Sequence, residues 1–174
     1  TILSTNGWYN TQTELSMLLD RSRIIHVDGI TLTGDTIYYD KANGYGRSLG
    51  NIESTDSTNH MTLYGNVSEV WEDGGRGYVT DSAMLLDWSD STAFTYMHAD
   101  TLWTEEISYP IFTLKMRDSL LVDSVMVAQN PDTIWRDTTY QQLRAFWHVR
   151  VFRNDIQAVC DSARYHGRDS LLTL

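Results

Sequence analysis

The 174-residue sequence contains two lysines, six glutamates, two prolines and one cysteine, and each scarcity excludes something. Glu and Lys are common on exposed helices because their straight side chains lose little rotamer freedom there; their rarity argues against helical surfaces. Two prolines exclude a Pro-rich linker. A single cysteine, Cys160, excludes an internal disulfide, and it reads as a buried, inert thiol. The five histidines, at 26, 60, 98, 148 and 166, show no metal-ligand spacing, so neither metal nor cofactor is expected. No apolar run approaches the length needed to span a bilayer. With 13 basic against 23 acidic residues and a net charge of -10, the chain lacks the basic face that nucleic acid requires. Eleven of the 13 basic residues are Arg, so the positive charge present is mostly of the bidentate, planar kind.

What is abundant agrees on one class. There are 20 Thr, 10 Tyr, 6 Trp and 17 Asp, and 41% of the chain is apolar. Thr and aromatic residues suit pleated, half-buried surfaces, and Asp marks turns, which predicts an all-β protein. Alternation at period two predicts strands over 23–28, 30–40, 44–54, 60–72, 77–88, 92–104, 144–153 and 156–166. Turn-rich breaks fall at 55–59, 89–91 and 154–155, and Gly74-Gly75-Arg76-Gly77 reads as a hairpin turn. Only 11–19 could be a helix, with Thr11 as cap and Glu14 at the capping-box position; its neighbourhood favours strand.

The chain also repeats itself. A glycine followed by an aromatic opens a strand at Gly7-Trp8, Gly44-Tyr45 and Gly77-Tyr78. An Asp-Ser/Thr pair precedes an alternating run at Asp35, Asp81, Asp100 and Asp161, and Gly-Asn precedes a β-branched residue at Gly50-Asn51 and Gly65-Asn66. Such recurrence implies stacked sheet layers that share one core. It divides the chain into layers over 1–104, an insertion or connecting segment over 105–143 that holds both prolines, and a further partial layer over 144–174. Two strands are expected within the insertion, over 111–117 and 121–129. The chain starts at Thr1 with no signal-peptide pattern and ends in apolar Leu171-Leu172-Thr173-Leu174, so it reads as a segment of a longer protein.

Gly7-Trp8-Tyr9, the run from Leu32 through Gly34-Asp35-Thr36-Ile37-Tyr38-Tyr39-Asp40, Gly44-Tyr45-Gly46 and Gly50-Asn51-Ile52 resemble the OstA-like family. So do 145–151 and Cys160-Asp161-Ser162-Ala163-Arg164-Tyr165. That family includes LptA and the periplasmic domains of LptC and LptD, and the flavour here is similar to the larger OstA-like proteins of Bacteroides-type bacteria. The resemblance covers roughly 7–103 and 144–174. It implies a twisted, partly open β-jellyroll of stacked antiparallel strands and a non-enzymatic role in lipopolysaccharide transport and outer-membrane assembly. It implies a periplasmic setting after removal of a signal peptide, with outer-membrane association left open. Lipopolysaccharide or another lipid is the implied ligand, its acyl chains held in the groove between the sheets. Implied partners are other Lpt-type jellyrolls and further copies of the chain, joined head to tail by edge strands.

The residues themselves can be read for such a groove. Alternation places Ile37 with Tyr39, Met61 with Leu63 and (absent a bulge) Val67, Leu85 with Ala83, Phe94 with Tyr96, and Val149 with Val151. These ten residues, Ala83 aside, are the candidate groove lining, and a one-residue bulge would exchange the faces. Burial at about 0.8 kcal/mol per methylene would hold acyl chains without any covalent chemistry. Arg21, Arg23, Arg47, Arg150 and Arg153 are candidates for ligand phosphates at the groove mouth. No nucleophile elbow or phosphate-binding loop occurs, and the recurrent Asp positions fit structural repeats better than an acid–base pair, so no catalytic residue is expected. Two other readings stay open: a β-sandwich carbohydrate-binding module using the Trp and Tyr residues, and an adaptor that assembles through its sheet edges.

Overall fold

A strand with one face in a core needs apolar side chains at every second position, and the computed structural model answers that pattern with one antiparallel sheet of thirteen strands. It describes residues 1–26, 29–114, 133–168 and 171–174. The strands are β1 (Ile2–Leu3), β2 (Asn6–Tyr9), β3 (Leu15–Leu19), β4 (Ser22–Ile25), β5 (Ile30–Gly34), β6 (Thr36–Asp40), β7 (Tyr45–Asp56), β8 (Met61–Trp71), β9 (Arg76–Asp87), β10 (Thr95–Leu114), β11 (Thr133–Phe152), β12 (Gln157–His166) and β13 (Leu171–Thr173). From β7 to β13 each strand pairs with its neighbour in sequence. The first six are bent strands cut in two: β5 pairs with the C-terminal part of β7 and β6 with its N-terminal part. β4 and β1 continue outward from β5, and β3 and β2 from β6.

The cut falls on one line that crosses the whole sheet. Alternate strands pass this crease through two consecutive left-handed residues: Asp20-Arg21 (φ 61 and 56), Gly50-Asn51 (75 and 46), Asp81-Ser82 (59 and 63) and Trp147-His148 (61 and 51). The intervening strands pass it at Asp35, Asn66, Asp100 and Asp161, where the register shifts. Bulges of this kind sharpen the twist and bend a strand. Left-handed backbone costs a non-glycine residue roughly 1–2 kcal/mol, and side-chain hydrogen bonds along the crease offset it. Asn51 Nδ2 donates to Asp35 Oδ2 at 2.7 Å, and the Asn51 amide donates to Asn66 Oδ1 at 3.2 Å. Thr80 Oγ1 donates to the Asp100 carbonyl at 2.8 Å, and His148 Nδ1 lies 2.9 Å from Asp100 Oδ2.

Folding at the crease brings two half-sheets face to face, with the core between them. Val79, Leu102, Ala145 and Ala163 come from one half; Ala83, Leu85, Met97, Ala99, Val149 and Val151 come from the other. Some inner residues beside the crease are small, among them Gly65, Ala83 and Ala99. A Cβ placed on Gly65 would sit 2.3 Å from Val79 Cγ1.

The strand favoured within 11–19 is present: Asn10 Oδ1 accepts the amides of Gln12 and Thr13 in a turn, and β3 follows. Two sequence expectations take a different form. The strand expected over 30–40 is divided at Asp35 by the crease. The segment 105–143 is described at 105–114 and 133–143, where it prolongs β10 and β11 as the arms of one hairpin. The expected strand over 121–129 lies outside the described residues.

Candidate functional site

Register fixes which side chains share a face, because residues opposite each other in a ladder point the same way. On the half-sheet built from β1, β4, β5 and the adjoining parts of β7–β12, the row Ile2, Ile24, Leu32, Ser54, Leu63, Leu85, Met97, Val151 and Ala158 faces inward. On the other half, Gly7, Leu18, Ile37, Ser48, Ser68, Val79, Leu102, Ala145 and Ala163 form the facing row. One step further from the crease lie Tyr9, Ser16, Tyr39, Gly46, Val70 and Gly77. The interior is therefore a mainly apolar trough, interrupted by Ser48, Ser54 and Ser68. It is closed around β9–β12, where Val149 is fully buried and Leu102 is 1% exposed. Toward the N-terminal strands it loosens: Ile24, Leu32 and Leu18 are half-buried, and Ile2, Tyr9 and Val70 are exposed.

Seven of the ten residues read as groove lining lie on this inner surface. Ile37, Leu85, Val149 and Val151 are buried; Tyr39, Met61 and Leu63 are half-buried. Val67 and Tyr96 are on the outer face, and Phe94 is an exposed residue in the turn before β10. The expectation that Val67 shares the face of Met61 and Leu63 is corrected by the irregularity at Asn66. One residue there takes up the bend, so Gly65 points in and Val67, paired with Leu49 and Thr80, points out.

The arginines expected at the groove mouth lie outside the trough instead, on the crease and the outer face, where a guanidinium avoids the cost of an apolar interior. Arg21 lies on the crease and pairs with Asp35 at 3.4 Å. Arg47 pairs with Glu69 at 3.6 Å on the outer face, and Arg153 with Asp90 and Asp155. Arg23 and Arg150 are exposed on the outer face of the other half-sheet and make no ion pair among the described residues. Among the described residues no cluster of three or more His, Cys, Asp or Glu is placed to hold a metal. Among the described residues no helix is long and apolar enough to cross a membrane.

Tyr39, at the trough's rim, donates its hydroxyl to Glu72 Oε1 at 2.6 Å. That hydrogen bond to a carboxylate, reinforced by burial, pushes the phenol up to about 12. The rim is thereby fastened to the β8–β9 turn, where a Tyr39 ring free to swing would alter the width of the opening.

Sequence reasoning missed two features. Ile2, Ile24, Leu32, Leu18 and Val70 line the open part of the trough, and only the register reveals that they face one another. The second feature is on the outer face of the half-sheet that carries β2, β3 and β6. Tyr38, Tyr45, Trp71, Tyr78 and Trp103 form a cross-strand ladder with centroids 5.7–6.3 Å apart. Burial, then Glu69 nearby, pushes the Tyr45 and Tyr78 phenols up.

With the geometry in place, comparison with solved structures is decisive for the fold. LptH, the LptA-homologous periplasmic component of the lipopolysaccharide transport device of Pseudomonas aeruginosa, superposes with a TM-score of 0.56 over 85% of each chain. The fold is LptA-like. Sequence identity over that match is 13%, so the likeness lies in the bent, open sheet and not in shared side chains. No family model and no curated protein sequence matches the chain. The LptA-like fold matches the all-β class read from alternation and the open jellyroll that the family resemblance implies.

Proposed function

We propose that this protein is a periplasmic, lipopolysaccharide-binding component of a transport bridge that serves outer-membrane assembly, holding acyl chains in its apolar interior. The observation that carries the reading is the trough between the half-sheets, mainly apolar with serines at 48, 54 and 68, and open toward the N-terminal strands, in a fold shared with a lipopolysaccharide-transport component. Acyl chains enter where Ile2, Ile24, Leu32, Leu18, Tyr39 and Val70 are accessible, and reach Met61 and Leu63 deeper in. Transfer of apolar chains from water supplies the affinity at about 25 cal/mol per Å² buried. The arginines lie outside the trough, so binding does not depend on their meeting lipid phosphates.

The bridge follows from the edges. The sheet does not close: β1 and β2 form one border, and β13 with the first part of β12 forms the other. Strand addition at such borders extends the sheet and the trough together. Loss of self-association or of Lpt-type partner binding in Leu172→Pro, with the melting temperature retained, is the expected sign; unchanged association removes the edge from the proposal.

The trough is tested by photocrosslinking from adjacent positions on opposite faces. A benzophenone side chain at Leu32 or Leu63 is expected to capture lipopolysaccharide, while one at Thr33 or Tyr64 is not. Delipidated polysaccharide is expected to be captured from neither inner position. Equal capture from both faces, or none from the inner one, overturns the acyl-chain reading. Edge-dependent association without any inner-face capture would leave an assembly adaptor.

A further inference from the structure

The aromatic ladder is on the wrong side of the sheet to serve the core. The inner face is packed with Ala, Val, Leu and Met, whereas Tyr45, Trp71, Tyr78 and Trp103 project from the outer face, each half-buried against its neighbours and half in solvent. Tyr78 and Trp103 are nearly parallel, with an interplanar angle of 8° and centroids 6.2 Å apart; Trp71 adjoins both, at 6.1 and 6.3 Å. Cross-strand packing accounts for some of this arrangement. It does not account for what lies in the next positions of the same row.

Continuing across the sheet from Trp103, the register places Arg144 and then Arg164 on the same face, with Thr173 beyond. Arg144, Phe146, Ser162, Arg164, His166 and Thr173 line an open pocket of about 300 Å³. Arg144, opposite Trp103 in the ladder, pairs with Glu105 at 2.5 Å and donates to Gln142 Oε1 at 3.2 Å. Arg164 is exposed and has no carboxylate within ion-pair distance among the described residues. In a protein of net charge -10 this exposed arginine is one local positive charge, since Glu105 balances Arg144. Arginine recognises carboxylate and phosphate oxygens through paired donors, and flat aromatic rings offer apolar faces bordered by polar groups. Tyr78, Trp103, Arg144 and Arg164 occupy successive strands, so rings and cations span about 14 Å.

We propose that this outer face is a binding site for an anionic oligosaccharide. Sugar rings lie on the Trp71–Tyr78–Trp103 ladder, and an acidic substituent is taken by Arg164, beside the Arg144–Glu105 pair. The Arg47–Glu69 pair at the other side of the ladder supplies donors and acceptors for hydroxyls. The site is on the opposite face from the acyl-chain trough, and the two are independent.

The probe is an oligogalacturonate, which carries sugar carboxylates and no acyl chain. Binding is followed by tryptophan fluorescence and by calorimetry, against a neutral malto-oligosaccharide of equal length and against inorganic phosphate. Saturable binding of the oligogalacturonate is expected, at least about tenfold weaker for the neutral oligomer and for phosphate alone, because each lacks one of the two contacts. Arg164→Gln, an exposed change that leaves the fold intact, is expected to weaken binding at least about tenfold, as is Trp103→Leu. Val159→Ser, on the outer face of the other half-sheet, is expected to change nothing. Absence of saturable binding overturns the proposal. So does affinity that survives both Arg164→Gln and Trp103→Leu, equal affinity for the neutral oligomer, or phosphate alone binding as well as the sugar acid. Because the probe has no lipid, its failure leaves the trough reading untouched, and failure of inner-face crosslinking leaves this one untouched.

Discussion

Adding one methyl group at Gly65 tests whether the two half-sheets meet as closely as the crease implies. Gly65 is on the inner face of β8, outside the left-handed region, so its backbone suits alanine. In an unconstrained site the change would stabilise by about 0.4–1 kcal/mol, by restricting the unfolded chain. Here the new Cβ would lie 2.3 Å from Val79 Cγ1 and 3.1 Å from the Thr80 carbonyl oxygen. A short branched side chain and a backbone oxygen in a sheet cannot move aside cheaply, and overpacking of this sort costs about 1–3 kcal/mol. The net expectation for Gly65→Ala is a loss of about 1–2 kcal/mol, or about 2–8 °C in Tm for a domain of this size. Gly34→Ala is the control of opposite sign. That glycine is also buried, but its nearest neighbours would be Ile37 Cγ1 at 3.5 Å and Ser48 Cβ at 3.7 Å, ordinary contacts, so stability should hold or rise by up to about 1 kcal/mol. Urea unfolding of both variants supplies the measurement. In a Val79→Ala background the Gly65→Ala penalty should shrink by about 0.5 kcal/mol or more, since the partner of the clash is gone. A Gly65→Ala protein as stable as the parent, or a penalty unchanged in that background, would refute the close approach of the halves.

Three further expectations follow from single positions. Gly50→Ala should cost about 1–2 kcal/mol in urea unfolding, because φ is +75° and the new Cβ would sit 2.6 Å from Asp35 Oδ2. Val149→Ala, two residues from Trp147 on β11, should cost about 2–3 kcal/mol by opening a cavity at a fully buried site, whereas exposed, left-handed Trp147→Asn should hold stability or raise it by up to about 1 kcal/mol. The Tyr39 phenol ionises near pH 12 when folded and near 10 when unfolded, so its contribution is complete below pH 10 and disappears as pH rises from about 10 to 12. Unfolding free energies measured across that window should fall less steeply in Tyr39→Phe, and an unchanged slope would remove Tyr39 from the account.

Strands were legible because alternation is a local signal: β8, β9 and β12 fall within two residues of where period two places them. The repeated Asp positions were legible too, but not their meaning. They read as strand openings, and Asp81, Asp100 and Asp161 instead stand within strands, at the crease. A bend of this kind depends on what lies in the next strand. The same dependence explains why Val67 was assigned to the inner face and why Ile24, Leu32 and Val70 were missed. Facing is inherited through the ladder, and one irregular residue at Asn66 reverses it. The outer ladder was invisible for a related reason: Trp71, Tyr78 and Trp103 are distant in sequence and meet only through register. The fold class is thus written in the spacing of side chains along each strand, whereas the candidate sites arise from spacing across strands.

The plain up-and-down order of β7 to β13 has a consequence for how the molecule opens. Each hairpin pairs with the hairpins before and after it, and among the described residues no ladder joins the first strands to the last, so loss of structure can stop at any rung. Amide exchange should therefore rise in steps from the β9–β11 centre, where burial is deepest, to both borders, with no single opening event shared by the whole sheet. A partner strand added at either border would move the least protected rung one place outward. The length of the assembled sheet, and not only the chemistry of its contacts, would then set how long its outermost layers stay closed.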